Sequence, residues 1–188
     1  MKKLLGFSIF LVFVLIASLT AEAKVTLPAI FSDNMVLQQN TQVNVWGKAA
    51  PGEKVTVKAS WLDKAVTAKA AANGKWTVKL KTPKAITNQS VTVSGENEIT
   101  INNVLIGEVW LCTGQSNMEF PVSRHPDVKW NTGMLNEAEE LKDADYPEIR
   151  LFHVKHQLAH EGELDDCEGE WLVCNPKNLY DFSAVGFV

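Results

Sequence analysis

Cysteine is scarce in this chain. Three residues among 188 are an odd number, so at least one thiol stays unpaired. Basic charge is not in excess either. The formal net charge is −4, and nucleic acid and anionic membrane both reward basic patches, so neither is the expected partner. No internal repeat and no low-complexity linker breaks the chain, so any division into domains must come from a change of pattern. Composition is otherwise that of an ordinary globular protein.

The first residues stand apart from the rest. Lys2 and Lys3 give a basic start, Leu4 to Leu19 is almost wholly apolar, and Ala21–Glu22–Ala23 supplies small residues suited to signal peptidase. The apolar run is too short and too poorly flanked for a membrane anchor. No cysteine follows the small residues, so a lipoprotein anchor is not indicated. The expectation is a signal peptide over residues 1–23, cleaved at Ala23–Lys24, with export to the periplasm or beyond and no membrane partner afterwards. Loss of Lys2, Lys3 and Glu22 would move the net charge from −4 to −5. The 165 residues that remain could bury one good core or two small ones.

From Lys24 to about Val104 the pattern has period two, as half-buried strands do. Val55, Val57, Ala59 and Trp61 alternate with Lys54, Thr56, Lys58 and Ser60; Trp76, Val78 and Leu80 alternate with Lys75, Thr77 and Lys79. Asn73–Gly74, between Val66–Ala68 and the Trp76 strand, reads as a hairpin turn, because both residues tolerate positive φ. Val43–Val45, Val91–Val93 and Ile99–Ile101 supply further strands. About seven short strands at this spacing predict a β-sandwich over residues 24–104. Trp61 and Trp76 fall in phase with the valines of their strands, which favours core packing over a sugar-stacking surface that Trp46, Trp61 and Trp76 could otherwise form.

At Leu105 the character changes. Six of the eight residues from Leu105 to Cys112 are apolar, without alternation, which predicts a strand buried on both faces, as in a parallel sheet covered by helices. Cys112 would be a small buried hydrophobe in it. A helix is expected over Gly133–Leu141, and strands over Glu148–Val154 and Glu170–Cys174. Residues 105–188 therefore read as the start of an α/β domain. The chain closes on Tyr180–Val188 with no polar tail; a helix capped by Asp181 or Ser183 would be cut off before a second turn, so the domain is expected to be incomplete. A short terminal strand is the alternative.

The apolar run empties into Thr113–Gly114–Gln115–Ser116–Asn117–Met118–Glu119. A serine at a strand-to-turn junction is reachable by substrate. Gly114 permits close backbone approach, Asn117 tolerates a strained conformation, and a following helix would aim N–H groups at the serine. The second glycine of Gly-x-Ser-x-Gly is missing, which excludes the α/β-hydrolase turn. A neutral hydroxyl needs a base. His125 is the nearest histidine in sequence, in a loop. His153, His156 and His160 could share a helix face for zinc, but a strand there sends His153 and His156 to opposite faces, so no metal is expected. Cys167 and Cys174 could form a bridge in an oxidising compartment.

Gly114-Gln115-Ser116-Asn117-Met118 after Val109–Trp110–Leu111 resembles the nucleophile block of the sialate O-acetylesterase family, within the SGNH-hydrolase group. Leu27 to Gln38 resembles that family's N-terminal opening. Gly47, Pro51–Gly52 and Asn73–Trp76 resemble its β-sandwich, and Phe182–Gly186 its next helix start. The resemblance spans the chain after the signal segment and covers only the front portion of a family member. It implies a carbohydrate O-acetyl ester hydrolase acting on O-acetylated sugars, sialic acids first, with no metal or organic cofactor. Ser116 is implied as nucleophile and as one oxyanion donor through its own N–H, with Gly114, Gln115 and Asn117 shaping the turn. The family's base is a histidine in an Asp-x-x-His block, and none of the four histidines has Asp three positions earlier. Little esterase activity is therefore expected of these 188 residues alone. The alternatives are an acetyl-xylan or other polysaccharide esterase, a non-catalytic sandwich that binds carbohydrate or stabilises its neighbour, and a gene fragment without function. The sequence does not indicate an oligomeric state.

Overall fold

The computed structural model describes residues 24–127, 132–160 and 162–188; the expected signal peptide, residues 1–23, lies outside them. Among the described residues seven strands precede the Ser116 segment. These are β1 (Val36–Gln38), β2 (Gln42–Lys48), β3 (Lys54–Ala59), β4 (Val66–Lys69), β5 (Lys75–Lys81), β6 (Ile86–Ser94) and β7 (Glu98–Gly107). They form a five-stranded mixed sheet in the order β1-β7-β6-β3-β4 and a two-stranded sheet of β2 with β5.

Period two places the side chains as expected. In β5, Trp76, Val78 and Leu80 are buried while the four lysine and threonine neighbours are not; in β3 the buried set is Val55, Val57 and Ala59. Residues of both sheets meet in one core, with Val45, Val57, Leu80, Val91 and Val93 wholly out of solvent. Each such side chain contributes about 1.5–3 kcal/mol by leaving water. Trp76 is 2% exposed. Trp61 sits just past β3, half-buried against the core, and donates Nε1–H to the Lys81 carbonyl at 2.9 Å.

Asn73–Gly74 does make a tight turn, closed by Gly74 N–H to Ala71 O at 2.9 Å. Only Gly74 takes positive φ, at 77°. The turn does not join a hairpin, however. β4 pairs with β3 and β5 pairs with β2, so the chain crosses here from one sheet to the other.

β7 runs to Gly107, longer than its alternation suggested, and Leu105, Ile106 and Gly107 pair in parallel with Val36, Leu37 and Gln38 of β1. Asn103 sits in the left-handed region (φ 54°) as an irregular residue between the Ile101↔Val91 and Val104↔Gln89 pairs. Its amide donates to Asn34 Oδ1 at 2.8 Å.

The remainder is smaller. It holds a 3-10 turn (Ser116–Glu119), helix α1 (Glu137–Asp143), β8 (Tyr146–Phe152), β9 (Trp171–Cys174), and the short helices α2 (Pro176–Leu179) and α3 (Ala184–Phe187). β8 and β9 pair antiparallel, so the parallel α/β sheet expected after residue 105 is absent among the described residues. A second apolar cluster gathers Val122, Ala144, Leu151, Cys174, Leu179 and Ala184. Trp171 joins the two parts: it packs against the first core and donates its Nε1–H to Ile30 O at 2.8 Å. Among the described residues no helix is long and apolar enough to cross a membrane.

Candidate active site

The segment carrying Ser116 leaves the sheet from a fixed point. Gln38 and Gln39 donate side-chain N–H to the Glu108 carboxylate at 2.9 and 2.7 Å, and Val109 N–H donates to Gln38 Oε1 at 2.9 Å. Hydrogen bonds from Gln38, then Gln39, hold the Glu108 carboxyl below its ordinary range. Beyond it the sequence reading fails. Val109 to Cys112 is not a buried strand: Trp110 is 84% and Leu111 90% exposed, and Cys112 is exposed rather than a core residue. The apolar run is divided, its first half ending β7 and its second half lying in solvent.

Ser116 opens the 3-10 turn, directly after Gln115, whose side chain makes no capping hydrogen bond. Met118 N–H bonds to Gln115 O at 2.9 Å and Phe120 N–H to Asn117 O at 3.2 Å. The role of Gly114 is space rather than backbone freedom, since a Cβ there would come 2.9 Å from Met118 Cγ. Asn117, expected to accept strain, is not among the positive-φ residues. Ser116 itself is exposed. As at any helix start, the first amides, those of Ser116 and Asn117, have no acceptor within the turn.

The turn is clamped from its far side. Ala184 N–H donates to Phe120 O at 2.8 Å, Val122 N–H to Phe182 O at 2.9 Å, and Ser123 N–H to Tyr180 O at 3.1 Å. Ser183, not Asp181, caps α3: its Oγ accepts from Gly186 N–H at 3.1 Å. Residues some sixty positions apart thereby fix the direction in which the Ser116 turn leaves the clamp.

Three of the four histidines have neighbours other than Ser116. His125 Nε2 lies 2.8 Å from Asp181 Oδ1 and its ring meets Tyr180 edge-on at 5.4 Å. His156 Nε2 lies 3.1 Å from Glu119 Oε1, and His153 faces Phe182 at 6.2 Å. β8 ends at Phe152, so His153 and His156 follow the strand instead of alternating on it. Among the described residues no group of three His, Cys, Asp or Glu side chains could hold a metal ion, and no side-chain hydrogen bond joins Ser116 to a histidine.

The suggested Cys167–Cys174 bridge does not form; all three cysteines are free. Burial pushes the Cys174 thiol up, and burial followed by the Asp166 charge does the same to Cys167. Sequence reasoning missed Asp181, Glu119 and Asp165 as partners, because each acts on a residue that only the fold brings near. It also passed over Arg150, whose guanidinium is lowered in pKa by burial and reaches Asn103 Oδ1 at 3.4 Å.

No protein-family model matches the chain. It is 31% identical over 150 residues to the sialate O-acetylesterase of Mus musculus, a match covering 73% of this chain and 26% of that protein. The sialate O-acetylesterase of Homo sapiens is 28% identical over 162 residues, with 79% of this chain and 29% of that protein covered. Among solved structures, a carbohydrate acetylesterase from Xanthomonas citri is similar with a TM-score of 0.75 and 31% sequence identity, over 87% of this chain and 35% of that one. The matched region thus spans little more than a quarter of the curated relatives' length. Shared sequence over most of the described residues, together with a shared backbone, places the chain in the sialate O-acetylesterase family.

Proposed function

We propose that the chain belongs to a carbohydrate O-acetyl ester hydrolase, a sialate O-acetylesterase in the first instance, and that Ser116 is its nucleophile. The observation that carries this reading is the exposed Ser116 at the head of a turn pinned on its C-terminal side, in a chain whose relatives are named for acetylester hydrolysis. Ser116 Oγ would attack the acetyl carbonyl carbon and pass its proton to a base. The Ser116 N–H would be one donor to the oxyanion, with Gly114, Gln115 and Asn117 holding the turn. Collapse would release the sugar hydroxyl with its proton restored, and water would then free acetate from the acyl-serine.

The base is proposed to be a histidine of an Asp-x-x-His block, a pattern that residues 1–188 do not contain. For these residues alone the second reading therefore has support, that of a module which binds or stabilises without hydrolysis. We read the two sheets as a β-sandwich over residues 24–104, on the ground that both face one core. Residues 105–188 are read as part of an SGNH-hydrolase-like domain, and residues 1–23 as a signal peptide for export.

The test is acetate release from an O-acetylated sialic acid, acetylated xylan and an aryl acetate, by the full-length protein and its Ser116→Ala variant. Activity on the sialic acid that disappears with the serine supports the assignment. Undiminished hydrolysis by Ser116→Ala would overturn it.

A further inference from the structure

Trp46 points the wrong way for a core residue. Along β2 its neighbours Val45 and Gly47 are buried, whereas Trp46 stands on the outer face with Lys48, 40% exposed. A one-residue change of phase would have buried it, so its large apolar area is spent outside the core. Phe31 meets the indole at 4.6 Å with the rings nearly perpendicular, at 80°, which steadies it.

The exposed part fronts a depression of about 430 Å³, within the roughly 300–1,000 Å³ typical of small-molecule sites. The opposite wall comes from segments 154–157 and 164–167, including Gln157, Asp165 and Asp166. That wall is anchored. Asp165 is paired with Lys48 at 3.0 Å and Lys75 at 2.6 Å, and Asp166 accepts from Ala29 N–H at 3.0 Å.

Aromatic faces are electron-rich, and the C–H bonds on the flat face of a pyranose carry slight positive charge, so the two stack. Sugar hydroxyls are donors and acceptors together. Carboxylates with lone pairs to spare and an amide offering both functions suit them. The depression also has a link to the Ser116 turn. His156, beside Gln157, is bonded to Glu119, three residues after Ser116.

We propose that this depression binds a pyranose unit of a glycan, stacked on Trp46 and hydrogen-bonded by Gln157, Asp165 and Asp166. It would hold one part of a saccharide while another part reaches the Ser116 turn. The inference rests on the proposed function for its ligand class only.

The experiment is calorimetric titration of the chain with xylohexaose and, separately, 3′-sialyllactose, neither of which carries an acetyl ester. Binding of at least one is expected, the two arms telling a neutral from a sialylated glycan. Trp46→Ala should weaken it by about tenfold or more, which is about 1.4 kcal/mol, and Trp46→Phe should retain most of it. Gln157→Ala, on an exposed segment, should weaken binding without any change in thermal midpoint, which covers the case of a poorly folded Trp46→Ala. Ser116→Ala should bind as the parent does. No binding of either glycan, or full binding by folded Trp46→Ala and Gln157→Ala, would overturn the site. So would a loss of binding confined to Ser116→Ala. Hydrolysis that survives Ser116→Ala defeats the nucleophile assignment and leaves glycan binding at Trp46 untouched.

Discussion

His125 Nε2 stands 2.8 Å from Asp181 Oδ1, so the histidine nearest Ser116 in the sequence is engaged with a carboxylate instead. Both side chains are partly in solvent, and exposed pairs of this kind are worth at most about 1 kcal/mol. His125→Gln is therefore expected to lower unfolding free energy by less than about 1 kcal/mol in urea titration. Acetate release by the full-length protein should survive that change. Loss of activity as complete as in Ser116→Ala would make His125 the base after all.

Asp165 makes the wall opposite Trp46 sensitive to acid. Hydrogen bonds from Lys75, then Lys48, reinforced by their charges, hold its carboxyl down from 3.8 to about 2. For a depressed carboxyl the anchoring is fully present above 3.8 and is lost as pH falls through about 2. Pepsin should thus spare the bonds near Leu158 and Leu164 at pH about 4 and cut them faster at pH about 2. Asp165→Asn should be cut as fast at the higher pH as the parent is at the lower. Equal cleavage of parent and variant throughout would show that the lysines do not anchor this segment. Added salt should move the parent toward the variant, because all three groups are exposed.

Gly47 has no room for a methyl group. A Cβ there would lie 2.2 Å from Thr26 O and 2.9 Å from Trp76 Cζ2, and the Thr26 carbonyl is fixed by its bond to Lys48 N–H at 3.0 Å. Gly47→Ala should cost about 1–3 kcal/mol through overpacking. Trp76→Phe should be milder than Trp76→Ala, at about 3–5 kcal/mol, because the phenyl ring still fills most of the space, while both changes remove an indole N–H that is buried without a partner among the described residues. Chemical denaturation ranks the three; a neutral Gly47→Ala would refute the packing argument.

The thiols should separate by exposure. Cys112 is exposed, Cys167 intermediate and Cys174 buried, and the last two are pushed up in pKa. With a thiol reagent under native conditions, Cys112 should react first and Cys174 only on unfolding. All three should titrate as free after denaturation without reductant. A count of one would restore the Cys167–Cys174 bridge.

Local alternation carried most of what could be read in advance. Val55, Val57, Trp76, Val78 and Leu80 announced their inward faces because period two is a property of the strand itself. Asn73–Gly74 announced a turn but not its partners, since which strands pair is settled by the core and not by the two turn residues. Val109–Cys112 was misread because an apolar run states only that burial would be favourable; what covers it lies elsewhere in a fold, and nothing among the described residues does so. The turn that opens at Ser116 was legible from its own neighbours. The contacts of Asp181 and Asp165, and the outward turn of Trp46 toward the segment 164–167, depend on residues far away in the chain.

The parallel pairing of Val36–Gln38 with Leu105–Gly107 also sets an order of events in folding. A ribosome emits β1 long before β7 exists, and the chain between Val36 and its partner Leu105, 69 positions further on, must be gathered before the ladder can close. Contacts between such distant positions form slowly, because the entropy of closing the intervening loop comes first. The Glu108 tether from which the serine-bearing segment departs depends on Gln38 and Gln39. It therefore cannot be set until the preceding sheets are assembled. Ser116 should be among the last residues to reach its final position, so slowed assembly of the first sheet would delay the appearance of the site while leaving its own residues unchanged.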